Sequence, residues 1–375
     1  MNVLITGGAG FIGTALAKDL CEEGHHVTIL DNFLEQVHRT DVEAELVSWR
    51  LLGVRFIRGS ICSRSDVEKA VEGQDWIVHL AAETGTGQSM YELERYTTVN
   101  VAGTGLLLDV LINGKTGLKK IVVASSRSVY GEGSYICSKH GSVIPVPFSQ
   151  HQNIEKGYDP ICPKCSKVLR ATATSETAPL IPMSVYASTK VSQEQLVLLS
   201  HASLNCQIVA LRFQNVYGPG QSLTNPYTGI LSIFTTSILN GNHLELFEDG
   251  LPSRDFVYID DVIQGIVASL NAELCVPLAI NIGSGERKTV LDVVHTLEEV
   301  LEKKAKYKIS GRSRIGDIRH NYANLSLAQN ALNYTPKIEF SQGVKQFVEW
   351  AFAQEIPLDY SNIASSELTK YGLLK

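Results

Sequence analysis

No apolar run in this 375-residue sequence is long enough to cross a bilayer, and no leader-like segment precedes the strand-like Val3 to Thr6. Membrane insertion and export are therefore not expected, and a cytoplasmic location is. Positive charge is also scarce, since 33 Lys and Arg against 39 Asp and Glu leave a formal charge of -6. That balance offers no basic patch for nucleic acid or for an anionic membrane. An anionic small substrate would have to be gripped by local arginines. Cysteine is present, seven times, but an odd count without a leader argues against a disulfide framework. With 44% hydrophobic and 19% charged residues, the chain can bury the core of one large domain or of two packed ones.

Short β-rich runs alternate with helix-compatible stretches through the first half, the pattern of a parallel sheet covered on both faces. Strands are expected at 2–6, 26–30, 54–58, 76–80, 120–124 and 207–211, with helices at 11–23, 64–71, 96–112 and 186–199. The strands are continuously apolar, as strands buried on both sides are. The fold class expected is α/β, a doubly wound dinucleotide-binding sheet over residues 1–214. Residues 215–375 read mainly as a smaller substrate-binding lobe, with helices at 259–270 and 289–303 and with 255–284 returning to the sheet domain. An insert, 133–178, is polar and rich in Pro and Cys, too long for an ordinary connection.

Gly7-Gly8-Ala9-Gly10-Phe11-Ile12-Gly13 follows the first strand. Gly7 permits a tight turn, Gly10 lets backbone approach a pyrophosphate, and Gly13 lets the helix pack on the strand. The anion would rest on the helix N-terminus, against Phe11 and Ile12. Asp31 ends the second strand, 18 residues beyond Gly13, placed to accept from ribose hydroxyls and to repel the extra phosphate of NADP, so NAD is expected. Asn32 adjoins it. Leu80, Ala81 and Ala82 at the end of the fourth strand, and Asn100 in the next helix, are expected to wall the same site, although each alone is compatible with plain core.

Tyr186 and Lys190 stand at i and i+4, on one face of a helix. A phenol near pKa 10 is a weak base at neutral pH, and a neighbouring lysine together with a cationic nicotinamide favours the phenolate. Ser125-Ser126 closes a preceding strand, where a hydroxyl can orient the reacting oxygen.

The glycine motif, Asp31, Ser126 with Tyr186 and Lys190, and Leu211-Arg212-Phe213-Gln214-Asn215-Val216-Tyr217-Gly218-Pro219 together resemble the extended short-chain dehydrogenase/reductases that act on nucleotide-diphospho-sugars. The resemblance implies that Ser126 binds the substrate oxygen, Tyr186 is the acid/base, and Lys190 tunes it and holds the nicotinamide ribose. It implies that Asn215, Arg254 and Arg314 hold the diphosphate. It also marks a departure: Ser60, before Ile61, stands where many members carry an Asp that contacts adenine. The family's dehydratases carry Asp-Glu after the catalytic hydroxyl residue, and its decarboxylases a nearby Glu. This chain has Arg127-Ser128 there, so elimination lacks its extra acid and base and 4-epimerisation is expected. The strings 82–89, including Glu83 and Thr84 as sugar contacts, and 225–229 resemble the bacterial dTDP-L-rhamnose 4-epimerase branch. The alternatives are a 4-ketoreductase or dehydrogenase that releases its product, and a non-catalytic NAD sensor. Homodimerisation is usual in the family.

Cys137 and His140, then Cys162 and Cys165 after a gap of 21 residues, have the spacing of a closed, structural Cys3His zinc site. A similar insert occurs in the branch just named. A redox Cys-x-x-Cys pair and incidental buried thiols are the competing readings. Cys21, Cys62, Cys206 and Cys275 are expected in the core.

Overall fold

Seven apolar segments form a single parallel sheet: β1 (Asn2–Thr6), β2 (His26–Asp31), β3 (Arg55–Arg58), β4 (Trp76–His79), β5 (Lys120–Ser126), β6 (Gln207–Phe213) and β7 (Leu278–Ile282). Their spatial order is β3-β2-β1-β4-β5-β6-β7. The computed structural model describes residues 1–38, 49, 52–114, 116–152, 155, 157–225, 227, 229–354 and 361–374. Pro226 and Thr228, within one of the strings quoted above, lie outside the described residues.

Alternation along each strand sends side chains to two cores. Val3, Ile5 and Val78 pack under α1 (Phe11–Glu22) and α5 (Ile259–Asn271), whereas Leu4, Ile77 and Ile121 pack under α2 (Arg64–Val71), α3 (Thr104–Asn113) and α4 (Val185–Leu199). Burial on both faces is what continuous Val/Ile/Leu strands require. The strand order reverses between β1 and β4, so a crevice opens beyond their carboxyl ends. Ahead of α3, the helix widens into a π-helical stretch over Thr97–Gly103.

A buried ionic network ties the sheet to α4. Arg212 on β6 donates two hydrogen bonds to Glu194 on α4, at 2.6 and 3.0 Å, and one to the Tyr130 hydroxyl at 2.8 Å; Ser125 on β5 also donates to Glu194, at 2.5 Å. Ser125 is thereby committed to structure, which leaves Ser126 for the crevice.

Beyond β6 the chain builds the second lobe from helices Ile230–Leu239 and Val290–Leu301 and from very short strand pairs. The Ser253–Arg254 strand lies between Lys288–Thr289 and His320–Asn321. The insert folds as a three-stranded antiparallel sheet, Ser134–Cys137 flanked by Gly141–Val143 and Arg170–Thr172. Its own buried cluster is small: Tyr135, Cys137, Cys162 and Leu169. Two cysteines depart from expectation, since Cys62 in the turn after β3 and Cys275 in the link between α5 and β7 are exposed, while Cys206 is buried. No helix among the described residues is long and apolar enough to cross a membrane.

Candidate active site and the chain's relatives

The crevice is a cleft of about 1860 Å³ bounded by the carboxyl ends of the strands and by the second lobe. All but one of the catalytic, cofactor and substrate residues expected from the sequence line it. The glycine turn forms its floor at β1. Gly7 has φ +67°, and a Cβ there would come within 2.8 Å of the Ala81 backbone. A Cβ at Gly13 would stand 2.5 Å from Gly8 Cα, so the helix can lie on the turn only because that residue is glycine. No side chain caps the start of α1, which leaves its first-turn N–H groups for an anion. Asp31 is held ready by its own backbone neighbours, accepting from the Ala9 N–H at 3.1 Å and the Phe33 N–H at 2.9 Å.

Asn32, Ser60, Ile61, Leu80, Ala81, Ala82, Glu83 and Thr84 continue the wall. The Ser60 hydroxyl accepts from the Cys62 N–H at 3.1 Å, a local turn bond. Asn100 is the exception to the expected lining. Fully buried behind the wall, its amide accepts from the Glu83 N–H at 2.7 Å and donates to the Glu83 carbonyl at 3.0 Å. It fixes the path of the loop, and the π-helical stretch is what points it there. The Glu83 carboxylate is itself paired with Arg95 at 2.7 Å.

At the far end of β5, Ser126 and Tyr186 meet. Burial raises the Tyr186 pKa above its ordinary 10, while a hydrogen bond with Ser126 and the cation of Arg127 pull the other way. Lys190 does not bond the phenol here; it donates to the Ala124 carbonyl at 2.9 Å and to Gln193 at 2.7 Å, and burial lowers its pKa to about 7. The Tyr186 hydroxyl is thus supported by Ser126 and by a guanidinium, and no carboxylate among the described residues acts on it.

Arg127 is the residue that the sequence reading passed over. Its Nε donates to Asn215 at 2.7 Å, it lines the cleft, and burial and then Arg254 lower its pKa to about 9. Asp317 accepts from Arg314 at 2.8 Å and lies 3.5 Å from Arg254; burial alone would raise its pKa, but Arg314 and Arg254 hold it low. Arg127, Arg254 and Arg314 outnumber Asp317, the carboxylate paired with two of them in the cleft lining, a match for a diphosphate. Nothing in local spacing announces Arg127; only the approach of β5 to the Asn215 strand brings it there. Gln214 was likewise unforeseen as a site residue: it lines the cleft, it is 4% exposed, and both polar atoms of its amide lack a partner among the described residues. A buried amide in that condition is one that ordered water or a bound molecule can satisfy.

In the insert, the Cys137 sulfur lies 3.5 Å from His140 Nδ1 and 3.7 Å from the Cys165 sulfur, and Cys162 lies 3.5 Å from the same His140 nitrogen. One ligand atom from each of the four residues falls within 4.8 Å of all the others. The Lys139 N–H pointing at Cys137 is the largest influence drawing that thiol's pKa down to about 6.

Comparison with known proteins agrees with this geometry. Residues 3–152 and 159–283 match the model of the NAD dependent epimerase/dehydratase family. The chain is 35% identical to the dTDP-L-rhamnose 4-epimerase of Burkholderia thailandensis over 95% of this chain and 96% of that protein. It is 30% identical to UDP-glucuronate 4-epimerase 3 of Arabidopsis thaliana, over 93% of this chain and 76% of that one. Among solved structures, the UDP-glucuronic acid 4-epimerase of Bacillus cereus in complex with UDP-glucuronic acid and NAD superposes with a TM-score of 0.76 at 29% identity, covering 94% of this chain and 99% of that one. The glycine turn, the Ser126–Tyr186 pair and these matches over most of the length agree: the chain belongs to the NAD-dependent epimerase/dehydratase family.

Proposed function

We propose that this protein is a nucleotide-diphospho-sugar 4-epimerase, with dTDP-L-rhamnose its favoured substrate. The observation that carries the reading is the Ser126–Tyr186 pair at the cleft wall, with a guanidinium beside it and, among the described residues, no carboxylate acting on it. Such a site can remove and restore a hydroxyl proton, but it has no second acid and base for eliminating water.

The glycine turn and the uncapped start of α1 fit the pyrophosphate of NAD, Asp31 and Asn32 its adenosine ribose, Ser60 and Ile61 the adenine end, and Leu80 to Ala82 with Lys190 the nicotinamide half. When bound, NAD supplies a hydride acceptor and donor at C4 of the sugar. Tyr186 takes the C4 hydroxyl proton while Ser126 holds that oxygen in line. Asn215, Arg254 and Arg314, joined by Arg127, keep the diphosphate in place as the 4-keto sugar turns its other face to the ring. Tyr186 then returns the proton. Glu83 and Thr84 border the sugar end of the cleft. The preference for the dTDP-sugar rests on the Ala82–Ser89 and Asn225–Gly229 strings and on the similarity to the Burkholderia enzyme.

For the insert we propose a structural zinc on Cys137, His140, Cys162 and Cys165. A tetrahedral site with Zn–S of about 2.3 Å and Zn–N of about 2.05 Å requires ligand separations of about 3.8 Å between sulfurs and about 3.6 Å from sulfur to nitrogen. The separations of 3.7 and 3.5 Å suit that requirement. Residues 1–214 with 255–284 are read as the cofactor domain and the rest of 215–375 as the substrate lobe. Leu93, Ile112, Leu196 and Leu199, exposed on the helices around α3 and α4, suit a homodimer that pairs those helices, testable by sedimentation.

The deciding experiment is incubation with dTDP-L-rhamnose and a panel of UDP-hexoses, following C4 stereochemistry by NMR and absorbance at the reduced-nicotinamide band. The C4 epimer is expected without net accumulation of NADH. Stoichiometric NADH release would make the enzyme a dehydrogenase, and no turnover with any sugar nucleotide would remove the reading.

A further inference from the structure

The insert touches neither the glycine turn nor Tyr186 in any bond described above, yet it is tied closely to the 318–324 segment, which pairs with the Ser253–Arg254 strand. Arg319, 4% exposed, is the knot. Its Nε donates to Asp159 of the insert at 2.7 Å, and its terminal nitrogens donate to Glu248 at 2.7 Å and to Asp249 at 2.6 and 2.7 Å. Its backbone N–H donates to Glu132, at the root of the insert, at 2.9 Å. The next residue, His320, places Nε2 3.3 Å from the same Asp159 oxygen and Nδ1 2.7 Å from the Ser253 hydroxyl. A second seam joins the Thr174 N–H to the Tyr322 carbonyl and the Asn324 N–H to the Thr174 carbonyl, at 2.8 and 2.9 Å.

What this loop does for the cleft is specific. Arg254 donates to the carbonyls of Ser253, Ile318 and Arg319 at 2.9, 2.7 and 3.1 Å, so its guanidinium is aimed by the backbone of residues 318 and 319. Those bonds occupy the terminal nitrogens and leave Nε without a protein partner among the described residues. A guanidinium held in one orientation loses less freedom on gripping phosphate than one that must be ordered.

We propose that the cysteine-rich insert is a brace for the diphosphate grip: Asp159 fixes Arg319 and His320, and the backbone of Ile318 and Arg319 fixes Arg254. Asp159, Arg319 and His320 are positioning residues, acting on affinity through Arg254 and not on the reacting carbon. The inference rests on the assignment of Arg254 to the diphosphate made above.

In the full-length enzyme, Asp159→Asn is expected to raise the KM for the sugar nucleotide, and the Kd for UDP or dTDP in equilibrium titration, by about tenfold. Turnover number and bound NAD are expected to stay within about twofold, because the altered contact is made equally in ground and transition states. Asp159→Glu keeps the charge and is expected to recover most of the affinity. Placed on an Arg254→Gln background, Asp159→Asn is expected to cost nothing further, since both act on one contact. An unaltered KM in the single variant, a glutamate variant no better than the asparagine one, or fully additive losses in the double variant would each overturn the brace. Failure of the functional reading is separable: it would show as absent UDP and dTDP binding by the unaltered protein, before any variant is compared.

Discussion

In the proposed reaction Tyr186 carries the chemistry, and its surroundings set how. Burial disfavours the phenolate, so Ser126 and Arg127 must return part of that stabilisation. Tyr186→Phe removes the acid/base and one hydroxyl while keeping the ring that meets Tyr96 edge-on at 6.5 Å. Epimerisation is expected to fall by about three powers of ten or more, with bound NAD unchanged, measured by turnover and by cofactor release on denaturation. Activity comparable to the parent would sink the assignment. Arg127→Gln keeps a donor for Asn215 but deletes one of the cations of the diphosphate end. Its expected effect is a Kd for UDP or dTDP about tenfold weaker, from the loss of about 1.4 kcal/mol of charge-assisted bonding. Nucleoside monophosphates are expected to lose much less, and equal losses for both ligands would place Arg127 elsewhere.

Elements hold those residues through polar contacts that periodicity does not encode. His79 at the end of β4 joins β1, α3 and α4: Nδ1 meets the Thr6 hydroxyl at 2.7 Å, and Nε2 meets Thr104 at 2.9 Å and Gln193 at 3.1 Å. Gln193 in turn accepts from Lys190, so α4 is registered on the sheet by this ring. Burial, reinforced by Lys190, lowers the His79 pKa to about 3, against 6.5 ordinarily. Above pH 6.5 the ring is neutral whether folded or not. Between 6.5 and 3 only the unfolded chain takes the proton, so stability falls with acidification, by up to about 1.4 kcal/mol per pH unit from this group. Urea unfolding of His79→Asn across pH 4 to 6 is expected to give a slope shallower by about that amount. An unchanged slope would mean the ring is already protonated in the native state. This scale also marks what was readable. The six strands from β1 to β6 and the helices beside them follow from continuous apolar runs and 3.6-residue spacing. β7 was not read as a strand: Leu278-Ala-Ile-Asn-Ile is brief, and the Asn281 within it is polar, buried and bonded to the Thr174 carbonyl. The lobe's strands of two or three residues exist only through tertiary pairing, and no local pattern announces them. The glycine turn, Asp31, Ser126, Tyr186 and Lys190 were legible because their chemistry is local to a strand end or one helix turn. Arg127, Gln214 and the structural duty of Asn100 depend on elements distant in sequence.

On the scale of the whole molecule, the insert is the part with least reason to fold without help. Its buried cluster of Tyr135, Cys137, Cys162 and Leu169 has two large side chains and two ligand candidates, far short of what orders a segment of that length. The free energy of a closed Cys3His zinc site, on the order of 10 kcal/mol in small zinc-bound peptides, is the kind of contribution that makes up the difference. About one zinc per chain is therefore expected by elemental analysis, and Cys162→Ser, which deletes a buried candidate ligand, is expected to lose most of it. Because the insert is joined to the 318–324 segment and, through Thr174, to β7, while Tyr186 stands on α4 and the glycine turn follows β1, that variant is expected to lower Tm and raise KM while the turnover number falls by no more than about threefold. A parent protein free of metal would remove the premise, and a collapse of turnover at unchanged KM would show that the insert serves the reacting carbon and not the substrate's phosphates.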